Sequence, residues 1–378
     1  MRALVLHRPG LDLARRCREW ATEVGLEVET RCCPDEAALV GALRSVGAVD
    51  GIVLVPGLEG FASAALASAV TDATAPVVAV HLGNLRRRGL DPAGSALASA
   101  ATRVIHGRGV GGCRWALHHL AWRAAWPFCS LAYGDGPDHV ADLRLPDRDG
   151  PHPVAVLVHG GFWYDPWERD LMDGLAVDLA RRGWAAWTPE YRRVGAGGGW
   201  PATAHDVAAA VDQVAALAGP HQLDTGRVAL VGHSAGGQLA LWAASRRTAN
   251  VRPRLVVALA AVTDLAGDRA HGLGGRAVDA LLATAPDPKR ARADASPIAR
   301  VPLGLAQLVA HAADDPLVPV DQSRRYVAAA QAAGDVIDYR EFTHGGHFAL
   351  ITPHCAAWRT VAEALNEKLR QLGPCSWP

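Results

Sequence analysis

A serine in a turn rich in glycine is the first group in this 378-residue sequence that could do covalent chemistry. The segment RVALVGHSAGGQLALWAAS carries the pattern G-x-S-x-G from Gly232 to Gly236, between an apolar run and a helix-like stretch that begins near Ala235. A serine in such a strand-to-helix turn has a strained backbone, and side chains at the flanking positions would clash. The turn presents the hydroxyl of Ser234 to a carbonyl carbon. The first N–H groups of the following helix, that of Ala235 among them, point at the developing oxyanion.

Serine is a weak nucleophile without a base and an acid that orients the base. In the chain order typical of such turns, the acid and then a histidine follow the serine. Downstream of Ser234, LGLAQLVAHAADDPLVP ends its apolar run at Asp314 and Asp315, and YREFTHGGHFALI carries His344 and His347. We predict Asp315, because the spacing Asp-x-x-Val-Pro starts there. We predict His347, because it lies in a Gly-His-apolar turn followed by a helix-like segment.

Three alternatives accompany this prediction. Asp264, which follows another strand-like run, is a third candidate for the acid. The HxxH spacing of His344 and His347 suggests zinc, but no third ligand or glutamate accompanies it, so no metal site is predicted. GRGVGG, from Gly107 to Gly112, matches a dinucleotide-binding pattern but follows the last strand of its block instead of the first, so no cofactor is predicted.

The segment VLVHGGFWYDPW supplies the rest of the predicted site. Its two glycines allow close backbone approach, so the N–H of Gly161 or Phe162 is expected to face the oxyanion opposite the N–H of Ala235. Trp163 and Tyr164 are candidates for an aromatic wall of the substrate pocket. Packing in the core is the alternative for each aromatic residue.

Two blocks of the chain alternate short apolar runs with helix-like stretches, which predicts two α/β domains with parallel sheets covered on both faces. We place them at residues 1–125 and 126–378, with an antiparallel strand around Ala141–Leu145 at the edge of the second sheet. The predicted parallel strands of the first block are Ala3–Leu6, Leu26–Glu29, Gly51–Val55, Pro76–Val80 and Arg103–Gly107, and those of the second are Val154–Gly161, Trp184–Tyr191, Arg227–Ser234, Arg254–Val262 and Leu303–Asp315.

Composition limits the classes of partner. Lysine plus arginine and aspartate plus glutamate number 38 each, so no net charge attracts nucleic acid or an anionic membrane surface. No signal-peptide pattern and no apolar stretch of about 20 residues is present, so no membrane association is expected. The seven cysteines include no C-x-x-C pair, which favours free thiols in a reducing cytoplasm.

The second block resembles the α/β-hydrolase fold, and most closely its esterase and kynurenine-formamidase-like branch. AYGDGPDHVADLRLP, HGGFW, GHSAGGQLALWA, DDPLVP and GGHFALI carry the resemblance, which extends from about residue 130 to the end. It implies a Ser234–Asp315–His347 triad that cleaves a small-molecule ester or (aryl)formamide through an acyl-enzyme. The oxyanion would lie between Ala235 and Gly161 or Phe162. The same motifs occur in esterases and formamidases, so the substrate stays open.

The first block resembles the type II 3-dehydroquinate dehydratases, which have a flavodoxin-like sheet. GIVLVPGLEGFASAALASAV, VAVHLGN and VIHGRGVGGCRWALHHL carry this second resemblance, over most of residues 1–122. His81, Asn84 and Arg88 match the family's HLSN segment. However, the glutamate two residues before the motif histidine is Ala79 here, and the loop after the first strand offers no tyrosine as base. We therefore interpret the segment as the remnant of an active site.

The main hypothesis is thus a two-domain serine hydrolase whose N-terminal domain has kept a fold and lost its reaction. The first alternative is a lyase or bifunctional protein whose N-terminal domain dehydrates or binds a dehydroquinate-like cyclic acid. The second is that this domain serves assembly, since such dehydratases form trimers and larger sets. A homo-oligomer formed through the N-terminal domain would follow.

Overall fold

The computed structural model describes residues 1–92, 95–266 and 275–371 and divides the chain into two compact units, Met1–Trp126 and Pro127–Pro378. Each unit has its own sheet. Within the described residues, no helix is both long and apolar enough to cross a bilayer.

The N-terminal unit is a five-stranded parallel sheet with the strand order β2-β1-β3-β4-β5. This is the order of the flavodoxin-like doubly wound fold, as expected from the sequence. Its elements are β1 (Arg2–His7), α1 (Ala14–Glu23), β2 (Glu27–Cys32), α2 (Glu36–Arg44), β3 (Gly51–Val55), α3 (Ala64–Thr71), β4 (Val77–His81), β5 (Arg103–His106) and α4 (Gly111–Ala125).

The buried strands of this sheet explain its two covered faces. Every residue of β3 and β4 is buried, and alternate side chains enter different hydrophobic clusters. Val53 and Val78 pack in the cluster that includes residues of α1 and α4, whereas Leu54 and Ala79 pack in the cluster that includes residues of α2 and α3. Because side chains alternate across a strand, a continuous apolar run supplies two cores at once.

The C-terminal unit is an eight-stranded sheet with the strand order β13-β12-β11-β10-β8-β9-β7-β6. β6 and β7 pair antiparallel, β7 pairs antiparallel to β9, and the other neighbours are parallel. This is the α/β-hydrolase arrangement expected from the sequence. The strands are β6 (Cys129–Ala132), β7 (Val140–Arg144), β8 (His152–Val158), β9 (Ala185–Pro189), β10 (Leu223–His233), β11 (Leu255–Leu259), β12 (Ala306–Ala312) and β13 (Ile337–Phe342).

The helices of this unit follow the strands of the parallel part. They are α5 (Asp173–Arg181), α6 (Ala202–Asp212), α7 (Val214–Leu217), α8 (Ala235–Ala244), α9 (Gly275–Leu282), α10 (Pro288–Ala295), α11 (Asp321–Ala332) and α12 (Ala356–Gln371). All ten residues of α8 are buried, which places the helix after Ser234 in the interior.

The edges of the sheet differ from the sequence prediction. The strand expected around Ala141–Leu145 is β7, but it does not form the edge, because β6 pairs outside it. Sequence reasoning singled out neither β6 nor β13. Both are edge strands with mostly exposed or half-buried residues, so they lack the continuous apolar run that marks the central strands.

Candidate active site

Ser234 lies in the turn between β10 and α8 with a backbone that only a tight turn imposes. Its φ is 58° and its ψ is −122°. For a residue other than glycine, this backbone conformation costs of the order of 1–3 kcal/mol. Its N–H donates to the carbonyl of Leu259 at 2.8 Å, and its carbonyl accepts from the N–H of Gly237 at 2.9 Å. These bonds to β11 and within α8 hold the strained conformation.

The glycines of the G-x-S-x-G turn are required by close backbone approach. A Cβ at Gly232 would lie 2.2 Å from the carbonyl oxygen of Gly236. A Cβ at Gly236 would lie 2.2 Å from the carbonyl oxygen of Val158, at the end of β8. Real Cβ atoms do not come so close to backbone atoms. The turn therefore packs directly on the carboxyl end of the neighbouring strand.

Asp315 and His347 lie in direct contact. Nδ1 of His347 is 2.7 Å from Oδ2 of Asp315, and the carboxylate is an acceptor only, so the imidazole donates through Nδ1. The other carboxylate oxygen accepts from the N–H groups of Leu317 and Val318 at 2.8 and 3.0 Å. Burial opposes ionisation of Asp315, but its hydrogen bonds with His311 and His347 outweigh burial and lower its pKa far below the usual range.

His311, which sequence reasoning did not single out, is a second histidine beside Asp315. It is fully buried in β12, and its Nε2 lies 2.9 Å from the carbonyl of Val318 and 3.3 Å from Oδ2 of Asp315. Both neighbours of Nε2 are acceptors, so Nε2 carries a proton, and Nδ1 faces the hydroxyl of Ser323 at 2.8 Å. His311 thus holds the loop after β12 in the shape that directs Asp315 at His347. Its position four residues before an aspartate was the available sequence signal.

The loop that carries His347 is anchored on both sides. The exposed carboxylate of Asp314 accepts from the N–H groups of Gly346 at 2.8 Å and Gly345 at 3.2 Å. His233, the residue before Ser234, donates from Nε2 to the carbonyl of His347 at 2.9 Å, and the two rings lie 4.5 Å apart. The second contact brings His347 to the turn of the serine. Burial and the neighbouring imidazole of His347 lower the pKa of His233 well below its usual value, so it is neutral at pH 7.

The other sequence candidates for acid and base have different surroundings. Asp264 accepts from the N–H of Ala266 at 3.0 Å, and its carboxylate lies 3.8 Å from the guanidinium of Arg325. The side chain of His344 is 85% exposed, and its ring nitrogen is 3.7 Å from Asp314. The structure thus gives Asp314 a role in holding the loop and gives Asp315 the contact with His347.

The segment after β8 forms a turn next to Ser234. A Cβ at Gly160 would lie 2.9 Å from Cβ of Ser234, so the backbone of this segment passes close to the serine. Gly161 has φ 114°, and Phe162 follows with φ 55°; the N–H of Tyr164 closes the turn on the carbonyl of Gly161 at 3.0 Å. Ala235 is the first residue of α8, where an N–H has no acceptor within the helix.

Trp163 lies beneath this turn instead of lining an open pocket. It has φ 58° and is 1% exposed, and its indole N–H donates to Oε1 of Gln238 at 2.9 Å. Gln238, on α8, in turn donates to the carbonyl of Ala295 at 2.8 Å. The predicted pocket position of Trp163 is therefore corrected: the indole is enclosed by its own packing and anchors the turn to the helix of Ser234.

Other aromatic side chains of the segment are more accessible. Phe162 and Tyr164 are half-buried, and the hydroxyl of Tyr164 donates to the carbonyl of Arg276 at 3.1 Å. The ring of Trp167 lies 6.5 Å from that of Phe348, which packs edge-on against His347 at 5.2 Å. Trp167 and Phe348 thus form an aromatic surface beside the imidazole.

A buried charged network supports the same segment, and sequence reasoning missed it. Glu190 follows β9 and accepts from Nε2 of His159 at 2.8 Å and from the N–H of Arg169 at 3.0 Å. Arg193, also buried, donates to the carbonyl of Trp167 at 2.9 Å and lies 3.6 Å from Glu190. Burial opposes ionisation of Glu190, but the charge of Arg193 and the contact with His159 hold its pKa far below the usual range. A glutamate at the carboxyl end of a parallel strand was the available signal.

The three residues singled out in the N-terminal unit lie at and after the end of β4. His81 is 3% exposed; burial lowers its pKa, against a contact with the backbone of Gly57 that raises it. Oδ1 of Asn84 accepts from the N–H of Arg87 at 3.1 Å, which turns the chain. A Cβ at Gly83 would lie 3.2 Å from Nε of Arg88, so that guanidinium lies on the loop itself.

Two family models match the chain. The BD-FAE model matches residues 141–329, half of the chain, and the model described as Dehydroquinase class II matches residues 9–121.

Curated relatives divide in the same way. The chain is 40% identical over 114 residues to a 3-dehydroquinate dehydratase of Salinispora tropica, an alignment that covers 30% of this chain and 80% of the relative. It is 31% identical over 244 residues to Esterase LipC of Mycobacterium tuberculosis, which covers 57% of this chain and 58% of that protein. The chain thus spans little more than half the length of the esterase.

Solved structures resemble the larger unit. Esterase B from Lactobacillus rhamnosis matches with a TM-score of 0.57 and 17% identity, over 65% of this chain and 85% of that chain. A truncated carbohydrate esterase from gut microbiota matches with a TM-score of 0.56 and 19% identity, over 65% of this chain and 98% of that chain. At these identities the likeness concerns the fold.

The buried carboxylate of Glu190 predicts acid sensitivity of the C-terminal unit. Its pKa is lower in the folded than in the unfolded chain, so its contribution to stability is present above about pH 4.3, the ordinary value for glutamate, and is lost as the pH falls below it. We expect Glu190→Gln to be less stable than the natural protein at pH 6 and to lose less further stability between pH 6 and pH 3. Differential scanning calorimetry, which separates the transitions of two units, measures this difference.

The control for this experiment is Glu363→Gln, which alters an exposed carboxylate on α12. Its unfolding temperatures are expected to follow those of the natural protein over the whole pH range. If the unfolding temperatures of Glu190→Gln and the natural protein fell in parallel as the pH is lowered, the inferred ionisation of Glu190 would be contradicted.

Proposed function

Because the chain belongs to the BD-FAE family through residues 141–329 and to the class II dehydroquinases through residues 9–121, we propose that it is a serine esterase in which residues 126–378 do the chemistry. Ser234, Asp315 and His347 form the triad of this proposal. The observation that carries it is the 2.7 Å hydrogen bond from His347 to Asp315, in a loop tied through His233 to the turn of the serine.

The proposed mechanism is acyl transfer in two steps. Asp315 holds His347 with Nδ1 protonated, which leaves Nε2 free to take the proton of Ser234 as its oxygen attacks the carbonyl carbon. His347 then returns that proton to the leaving alcohol or amine, and an acyl ester remains on Ser234. Water, deprotonated by the same imidazole, releases the acid and restores the serine.

The proposed oxyanion site consists of the N–H of Ala235 and that of Gly161 or Phe162. Three observations support it: the start of α8 at Ala235, the left-handed backbone of Phe162, and the approach of the preceding Gly160 to Ser234. Such donors are typically worth about a hundred- to a thousandfold in turnover each.

The substrate is proposed to be a small-molecule carboxylic ester, with an arylformamide as the second candidate. Esterase LipC and the structural relatives are named as esterases, which favours the ester. The aromatic surface of Trp167 and Phe348 suits an acyl or aryl group of either substrate.

A paired substrate panel tests this function. We expect the natural protein to hydrolyse p-nitrophenyl acetate and butyrate, and Ser234→Ala to lose at least about 10⁴-fold in kcat, because the proposed acyl-enzyme forms on the hydroxyl of Ser234. Initial rates on these esters and on N-formylkynurenine measure it. A large preference for N-formylkynurenine would instead assign the protein to the arylformamidases.

The matched control is Ser245→Ala. Ser245 follows the same helix, at its opposite end, and its hydroxyl donates to the carbonyl of Trp242 at 2.7 Å. This variant should hydrolyse the esters at an unchanged rate. Ester hydrolysis that persists in Ser234→Ala would refute the proposed nucleophile.

The anchoring of the turn by Trp163 yields a second prediction. Trp163→Phe keeps a ring but removes the indole N–H, so the turn loses its link to Gln238 and its N–H groups shift relative to the oxyanion. We expect kcat on p-nitrophenyl acetate to fall about 10- to 100-fold with KM changed less than about threefold, because the loss concerns the transition state. Gln238→Leu should act similarly, and the double variant should lose less than the product of the two effects.

Trp187→Phe is the control for a lost buried indole. Trp187 is also fully buried, and its N–H donates to the carbonyl of Ala210 at 2.8 Å, away from the turn. It should lower stability and leave kcat unchanged. An equal effect of Trp163→Phe and Trp187→Phe on kcat would reduce Trp163 to a packing role.

For residues 1–125 we propose a dehydroquinase fold without dehydratase turnover. Ala79 replaces the expected carboxylate, the amide oxygen of Asn84 is used within its own turn, and burial keeps the imidazole of His81 neutral and thus a poor acid. We expect the protein to form dehydroshikimate from 3-dehydroquinate no faster than the uncatalysed reaction does. An absorbance assay of product formation measures this rate. Turnover that survives Ser234→Ala and disappears in His81→Ala would establish the bifunctional alternative.

A cytoplasmic location and assembly through the N-terminal domain complete the proposal. The six cysteines in the described part of the chain are free thiols, which supports a reducing compartment. Light scattering of the full chain reports its oligomeric state.

A further inference from the structure

A cavity of about 360 Å³ in the C-terminal unit is lined by Arg148, Arg182, Arg227 and Arg370, together with Trp184 and Asn366. It lies at the amino ends of the strands: Trp184 immediately precedes β9, and Arg227 lies in the first half of β10. Ser234 follows the carboxyl end of β10. The cavity is therefore at the edge of the sheet opposite the proposed active site and has no part in the hydrolysis.

The four guanidinium groups are only partly neutralised by the protein. Arg182 is paired with Asp178 at 2.8 Å, and Arg227 with Asp224 at 2.5 Å. Arg148 and Arg370 instead donate to the backbone carbonyls of Gly183 at 2.6 Å and Asn366 at 3.3 Å, and among the described residues neither makes an ion pair. Among the residues that the structure describes, no carboxylate lines the cavity. Its walls therefore carry excess positive charge.

The guanidinium of Arg148 packs against the backbone of Gly183. Gly183 has φ 92°, a backbone that favours glycine, and a Cβ there would lie 2.1 Å from Nη2 of Arg148, so the guanidinium packs directly on this glycine. The indole N–H of the buried Trp184 donates to Oδ1 of Asn366 at 2.5 Å. This hydrogen bond joins the start of β9 to α12 beside the cavity. The hydrogen bond to Gly183 thus orients the exposed side chain of Arg148 along the wall of the cavity.

The nearby His152 is influenced by the charge of Arg148. Its ring is buried at the start of β8, and burial first and the charge of Arg148 second lower its pKa, whereas the exposed Asp149 raises it. The field of Arg148 thus outweighs that of the adjacent carboxylate at this site.

We propose that this arginine cavity binds the phosphoryl group of a small phosphorylated molecule. Guanidinium forks donate pairs of hydrogen bonds that match the oxygens of phosphate, and several forks suit its tetrahedral arrangement. A volume of about 360 Å³ is at the lower end of the range of small-molecule sites, about 300–1,000 Å³. It accommodates a diphosphate or a phosphate on a small organic group, and a lone phosphate would fill it only in part.

Isothermal titration calorimetry of the full chain tests the proposal with pyrophosphate, inorganic phosphate and acetate at one ionic strength set with NaCl. We expect pyrophosphate to bind more tightly than phosphate, and acetate to bind least. Arg148→Gln should weaken pyrophosphate binding by at least about tenfold, because a charge-assisted hydrogen bond is lost. Arg148→Lys keeps the charge but loses the forked guanidinium, so its affinity for pyrophosphate should lie between those of the natural protein and Arg148→Gln.

Arg340→Gln is the control, since Arg340 is an exposed arginine of β13 paired with Asp338 at 2.7 Å, outside the cavity. It should bind pyrophosphate like the natural protein, and circular dichroism checks that each variant is folded. Absence of pyrophosphate binding, acetate binding of equal strength, or equal weakening by Arg340→Gln and Arg148→Gln would overturn the proposal. Ester hydrolysis plays no part in the measurement, so its outcome is independent of the proposed esterase activity.

Discussion

The backbone of Ser234 is the constraint on which the larger unit of this protein depends. A residue with φ 58° between β10 and α8 is tolerated only because its N–H is bonded to Leu259 and its carbonyl to the first turn of α8. The turn also requires contact without Cβ atoms at Gly232 and Gly236. Three parallel strands, β8, β10 and β11, must therefore end at the same level for the serine to be held. The central sheet supplies that level because β8, β11 and the second half of β10 are buried and pair in parallel.

Around this turn, the polar groups are arranged so that each ionised side chain has partners that favour its charge. Asp315 receives hydrogen bonds from His347 and from two backbone N–H groups, and Glu190 is surrounded by His159, Arg169 and Arg193. Desolvation of a lone buried carboxylate would neutralise it, and these contacts reverse that tendency. A carboxylate that stays ionised orients an imidazole in one tautomer, which a base in acyl transfer requires.

In the smaller unit, the fold depends on other residues than those of the proposed remnant site. Its core depends on apolar strands that face two helical layers, and Ala79 is a buried member of one of the two clusters. Asn84 and Arg88 are used within their own loop. Fold and chemistry depend on different residues, so one persists when the other is altered.

The sequence by itself determined the fold class of both halves and supplied the chain order of the proposed serine, acid and histidine. Continuous apolar runs and glycine spacing are local signals, and they specify buried parallel strands and the turn between β10 and α8. Only the tertiary structure decided which groups meet: that Trp163 lies under its turn on Gln238, that Glu190 joins His159 and Arg193, and that arginines from Arg148 to Arg370 surround one cavity. The edge strands β6 and β13 were likewise identified only in the tertiary structure. These contacts join distant segments, and their partners are selected by burial and charge in three dimensions, which no local spacing encodes.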